Sequence, residues 1–150
     1  MDLPPERIEH PAAWRGTDVA QDTDRWIWTM TDVQVAEIEA AADAYLSTHA
    51  TIGEMTPDDF PLPTLASHLL QMRQDLMHGI GFRLVRGLPV ARYTMEQSAA
   101  IFCGVGAHLG KARSQNAKGH LLGHVTDVGA DLSDPKVRIY QTTKRQTFHT

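Results

Sequence analysis

A single cysteine in 150 residues, Cys103, excludes an internal disulfide. It lies in an apolar helical pattern and is expected to be a small buried hydrophobe. No apolar run approaches the roughly 18 residues that read as a membrane span, and Met1-Asp-Leu-Pro-Pro-Glu lacks the basic start and apolar centre of a signal peptide. The expectation is a cytoplasmic protein with no membrane contact. A basic excess is missing too. The formal net charge of −4 argues against a general polyanion binder, and so against nucleic acid as a partner. There is no internal repeat and no local signature of a Ser-His-Asp nucleophile. What is present is a globular composition, 42% hydrophobic and 21% charged, sufficient for one domain with its own core.

Residues 1–25 are rich in Pro, Asp and Arg without periodicity and read as an irregular arm, with Trp14 anchoring it to the body. Residues 26–110 read as mainly helical with one strand. Trp26-Ile-Trp28 fits a short strand or a packed extended segment. Thr31-Asp-Val-Gln34 is a capping box, and Val35, Ile38, Ala42, Tyr45 and Leu46 recur on one helical face behind it. Residues 49–63 are broken by Gly53, Pro57, Pro61 and Pro63 and read as a linker. Leu62, Leu65, Leu69, Met72 and Leu76 then step by three and four, with Gly79 placed as a left-handed helix terminator. His68 and His78 lie off that stripe and are expected at the surface.

Gly81-Phe-Arg-Leu-Val-Arg-Gly87 reads as a strand. Thr94-Met-Glu-Gln97 is a second capping box, opening a helix whose expected apolar face is Ile101, Phe102, Val105 and Leu109, ending at Gly110. Residues 111–150 lean towards strand. Leu121-Leu-Gly-His-Val125 and Val137-Arg-Ile-Tyr140 are the candidates, separated by a turn region from Asp127 to Pro135. Helices first and strands later indicate an α+β protein whose sheet is beginning as the chain ends.

Gly104-Val-Gly106 resembles part of a dinucleotide fingerprint, but its third glycine falls one place late, at Gly110. It also lies within a helix, not between a strand and a helix start. Close packing is the better reading of these glycines. His120 and His124 have the spacing of a helical zinc pair, yet Gly119 and Gly123 disfavour a helix and no Glu follows His120. On a strand they would stand about 13 Å apart. They are read as polar residues lining or flanking a pocket.

His149-Thr150 closes the chain. The histidine is either an exposed final side chain or the first member of a His-Thr-Asp metal motif. If residues 140–149 are extended, Gln141, Thr143, Arg145, Thr147 and His149 share one face. That face is polar throughout, unlike a core, and suits a wet barrel interior that holds a small polar ligand. From Lys136 onward there are four basic residues, Lys136, Arg138, Lys144 and Arg145, and no acidic one.

Several segments in order carry a resemblance. Gly81-Phe-Arg-Leu-Val-Arg-Gly87-Leu-Pro, Gly106-Ala-His-Leu-Gly110, Ser114-Gln-Asn-Ala-Lys-Gly119 and Val137-Arg-Ile-Tyr-Gln141, running into Arg145-Gln-Thr-Phe-His-Thr150, resemble the TauD/TfdA family. These are non-haem iron, 2-oxoglutarate-dependent dioxygenases. The resemblance covers residues 80–150 well and the N-terminal helices loosely. It implies N-terminal helices packed on the beginning of a double-stranded β-helix, or jelly roll, with Fe(II) and 2-oxoglutarate as cofactor and co-substrate. It further implies iron held by His-X-Asp and a distal His, a facial triad. Only His149 matches a triad position.

The aspartate, the distal histidine and the 2-oxoglutarate arginine are then expected beyond Thr150, so that the chain would be the N-terminal portion of such an enzyme, inactive by itself. The resemblance also places Arg145, Gln115 and Asn116 toward substrate, a small organic molecule whose identity it does not choose. It is compatible with a homo-oligomer. The rival reading is a non-catalytic module that binds a partner or small anion through the basic final strand.

Overall fold

The computed structural model describes residues 8–49, 51–116, 118–123, 125–131, 133, 135 and 137–145. The chain divides into two compact units, one running to Arg113 and one from Ser114.

In the first unit, local capping sets where the long helices begin. The Thr31 hydroxyl accepts from the Gln34 backbone N–H at 3.3 Å while the Gln34 side chain accepts from the Thr31 N–H at 3.0 Å. Thr94 and Gln97 repeat the arrangement at 3.1 and 3.0 Å. Each box satisfies backbone donors that the first helical turn leaves without partners. The helices so opened are α2 (Asp32–Thr48) and α4 (Met95–Leu109), following a short α1 (Gly16–Ala20); α3 (Ala66–His78) lies between them. α4 packs against both α2 and α3.

Two short strands, β1 (Ile27–Thr29) and β2 (Leu84–Arg86), pair in parallel with Trp28 opposite Val85. A parallel pair needs a long crossover, and α2 and α3 supply it. The Met30 N–H extends the pairing to the Arg86 carbonyl at 2.9 Å. The arm is tied down as expected from Trp14. Its indole N–H donates to the Ile80 carbonyl at 2.8 Å, and its ring lies 5.1 Å from Phe82. Trp26 reaches Phe82 from another direction, with ring centroids 5.6 Å apart.

The core joins Val35, Ile38, Ala42 and Tyr45 of α2 to Leu69 and Met72 of α3 and to Ala100 and Ile101 of α4. Three expectations need correction. The stretch at residues 51–63 is irregular, but it is no mere linker: Phe60 and Leu62 are fully buried, and His108 Nε2 donates to the Phe60 carbonyl at 2.8 Å. Leu62 and Leu65 belong to the core yet precede α3; Pro63 disfavours helical backbone at Leu62, and Leu65 is the residue that caps the helix start.

The second correction concerns Gly79. It does end α3, but at φ −101°, and the left-handed conformation falls on Gly81 at φ +84°. Glycine is required at position 79 for proximity: a Cβ there would stand 2.7 Å from the Asp75 carbonyl oxygen. Third, Phe102 does not face the core. It is 69% exposed, whereas Ala100, Ile101 and Gly104 are buried. α4 is apolar around most of its circumference, so periodicity does not select one face. Gly104, with no side chain, leaves the seat that Phe60 enters. Gly104 and Gly106 both lie inside α4, away from any phosphate-binding turn.

Arg83 and Asp75 form an ion pair linking β2's approach to α3. The Arg83 hydrogen bond holds the Asp75 carboxyl below its ordinary value. A depressed carboxyl pKa means that the stabilisation is present above the unfolded value and is lost as pH falls through the lower folded value. Asp75→Asn is therefore expected to cost about 0.2–1 kcal/mol at neutral pH and nothing below the folded pKa. Urea melts of both proteins at a series of pH values from 7 downward check this, and a difference that does not shrink as pH falls would sink it.

Candidate functional site

The second unit begins with a loop organised by Asn116. Its side-chain oxygen accepts from the Lys118 and His120 backbone N–H groups at 3.0 and 3.3 Å, and its Nδ2 meets His120 Nδ1 at 3.0 Å. An amide NH2 can only donate, so His120 Nδ1 accepts and its ring proton sits on Nε2. The Gln115 N–H donates to the His120 carbonyl at 2.7 Å, and the Ser114 hydroxyl donates to the Asn116 carbonyl at 2.8 Å. Residues 114–116 thus close on residues 118–120. Gln115 and Asn116 lie adjacent in this loop, both exposed, with the Asn116 amide committed to holding the loop's shape.

Further along, the Asp127 and Asp131 carboxylates accept from the backbone N–H groups two residues on, at Gly129 and Ser133. The Ser133 N–H lowers the Asp131 pKa. These are turns made by short acidic side chains, as the Asp- and Gly-rich composition indicates.

The stretches read as strands take other forms among the described residues. Residues 121–123 bend without pairing, and Ile139–Gln141 is a 3-10 turn. The Gln141 side chain accepts from the Arg138 N–H at 2.8 Å, which stabilises that turn locally. Apart from the Val128 N–H to Gln141 carbonyl bond at 3.0 Å, the backbone bonds among the described residues of this unit span only a few residues. A strand needs a partner along its length to satisfy its backbone groups.

Arg145, at the end of this stretch, is exposed and has no hydrogen-bond or ion-pair partner among the described residues. Gln141 and Arg145 are therefore not joined by one extended face through residues 141–145. His149, the expected iron ligand, lies outside the described residues, as do Thr147, His124 and Lys136. Among the described residues no group of three or more His, Cys, Asp or Glu side chains gathers as a metal site.

Sequence reading passed over a cleft in the first unit, lined by Asp24, Ile27, Trp28, His68, Gln71, Met72 and Arg83. Its residues come from three separated segments, so no local motif announces it. Cys103 is half-buried and its thiol pKa is raised by that burial, in keeping with a packing role. No helix among the described residues is long and apolar enough to cross a membrane.

No family model matches the chain. Over 139 residues, 92% of its length, the chain is 28% identical to the FR-33289 synthase of Streptomyces rubellomurinus. Over 129 residues, 85% of its length, it is 27% identical to the taurine hydroxylase-like protein SAT17 of Stachybotrys chartarum. The matched stretches make up 41% and 33% of those two proteins. The chain is thus distantly similar, over nearly all its length, to proteins named as a synthase and as a taurine hydroxylase-like protein.

Proposed function

We propose that these 150 residues are part of a longer non-haem Fe(II)- and 2-oxoglutarate-dependent dioxygenase that hydroxylates a small organic molecule. The observation that carries this reading is the similarity, spanning 85% of the chain, to a protein named taurine hydroxylase-like. Two further facts support it. The matched stretches occupy well under half of either relative, which leaves room for the remaining ligands elsewhere in a longer protein. The segments that resemble the TauD/TfdA family also stand in the family's order, from Gly81 to the terminal His149-Thr150.

In this reading His149 supplies one imidazole nitrogen to iron, while Arg145 and Gln115 face substrate. Asn116 acts by fixing the loop that presents Gln115, since its own amide is already bonded within that loop. The jelly roll would be completed by chain outside the described residues.

The test uses the protein at its native length with Fe(II), 2-oxoglutarate, oxygen and a panel of sulfonates, aryloxy acids and betaines. Succinate release that depends on iron, and that at least one panel member stimulates, is the expected result. A protein that turns over no 2-oxoglutarate under any of these conditions, with or without a panel member, is not this enzyme.

A further inference from the structure

The cleft between β1, α3 and the approach to β2 has a volume of about 230 Å³. Drug-sized ligand pockets run from roughly 300 to 1,000 Å³, so its occupant must be small. Its floor is apolar. Met72 is buried and Ile27 and Trp28 are half-buried, with the Trp28 ring stacked on His68 at a 9° interplanar angle and 5.9 Å between centroids. Its polar groups are of both charges. Asp24 stands in the 3-10 turn Thr23–Arg25 and has no hydrogen-bond or ion-pair partner among the described residues. Arg83 is paired with Asp75 and not with Asp24.

Arg83 has donors to spare. A guanidinium carries five N–H groups, and Asp75 takes a bond from one terminal nitrogen only. The other Asp75 oxygen accepts from the Gln71 amide at 3.3 Å. Arg83 Nε is buried without an acceptor, the single buried side-chain polar atom in that condition among the described residues. Buried donors are rarely left so, and Arg83 is thus under-bonded where it lines the cleft.

A ligand that uses all of this must carry an anionic oxygen for Arg83, a cationic group for Asp24 and an apolar body for Trp28 and Met72. A simple carboxylate would meet the unpaired Asp24 carboxylate, and a simple amine would meet the guanidinium. We propose that the cleft binds a small zwitterion, a free α-amino acid with an apolar side chain: carboxylate toward Arg83, ammonium toward Asp24, side chain on Trp28 and Met72. None of its lining residues is among those assigned above to iron and substrate, and the proposal does not depend on that reading.

Isothermal titration of the native-length protein with L-leucine, L-methionine and L-phenylalanine tests it, with Trp fluorescence as a second readout. The half-ligands of each are titrated in parallel: the amine without its carboxylate and the acid without its amine. At least one amino acid is expected to saturate below about 10 mM, with both of its half-ligands at least about tenfold weaker. Asp24 is exposed and has no partner among the described residues, so Asp24→Asn should fold normally and weaken the amino acid about tenfold while leaving the deaminated acid unchanged or tighter. Arg83→Gln should weaken the acid and leave the amine unaffected. The proposal is overturned if no amino acid saturates, if a half-ligand binds as tightly as its parent, or if Asp24→Asn binds the amino acid as the parent protein does.

Discussion

Phe60→Ala is expected to destabilise the first unit by about 3–5 kcal/mol, the usual cost of deleting a fully buried aromatic ring. Domains of this kind have only about 5–15 kcal/mol of net stability, so this one change removes a large part of it. The ring deserves that weight because of its seat. It is wholly buried, and it fits against α4 where Gly104 has no side chain: a Cβ there would lie 2.3, 2.4 and 2.6 Å from three ring atoms.

Gly104→Ala is destabilising for the same reason, although alanine in a helix interior is otherwise favoured over glycine by about 1 kcal/mol. Combining the two changes distinguishes this contact from general damage to the core. Once the ring is gone, Gly104→Ala should stabilise the protein. Urea denaturation of the four members of this cycle reads the coupling directly. If Gly104→Ala is equally destabilising in both backgrounds, the Phe60 seat is not what keeps glycine at that position.

That contact also marks where sequence reading stopped. The capping boxes at Thr31 and Thr94 were legible because every participant lies within four residues. The α2 face from Val35 to Tyr45 was legible because its larger apolar residues recur at helical spacing directly behind the capping box. Trp14 was readable as an anchor because an irregular arm has little else to bury. Phe60 sits in an irregular stretch and meets Gly104 more than forty residues away, and nothing in either neighbourhood shows the pairing. The outward rotation of Phe102 follows from it.

Gly79 and Gly81 show a subtler limit. Both are needed, but the choice of which adopts positive φ depends on the Asp75 carbonyl, which accepts from both N–H groups, at 2.9 and 3.3 Å. In the second unit, alternating apolar residues suggest strands at Leu121 and Val137. A strand, however, is a relation between segments, and the Gln141 side chain instead stabilises a local turn. The Trp28–Arg83 cleft was invisible for a related reason: β pairing and α3 assemble it from residues that are far apart in the chain.

In the native-length protein, His149→Ala is expected to abolish both iron retention after dialysis and iron-dependent succinate release. Under the proposed function this residue is one of three protein ligands, and a facial site with one ligand removed loses donor number and geometry together. Loss of an outer-shell partner already costs roughly 10–100-fold in metal affinity, so loss of a ligand should exceed that. Iron content per chain separates this from a defect confined to turnover. Arg145→Ala provides the contrast. Its side chain is exposed and unpaired among the described residues, so its removal should leave iron content unchanged and act on the KM for substrate. A His149→Ala protein that keeps its iron would remove His149 from the metal site. Loss of iron from both variants would instead indicate that residues 145–149 act on the metal through folding, and the assignment of His149 as a ligand would fail with it.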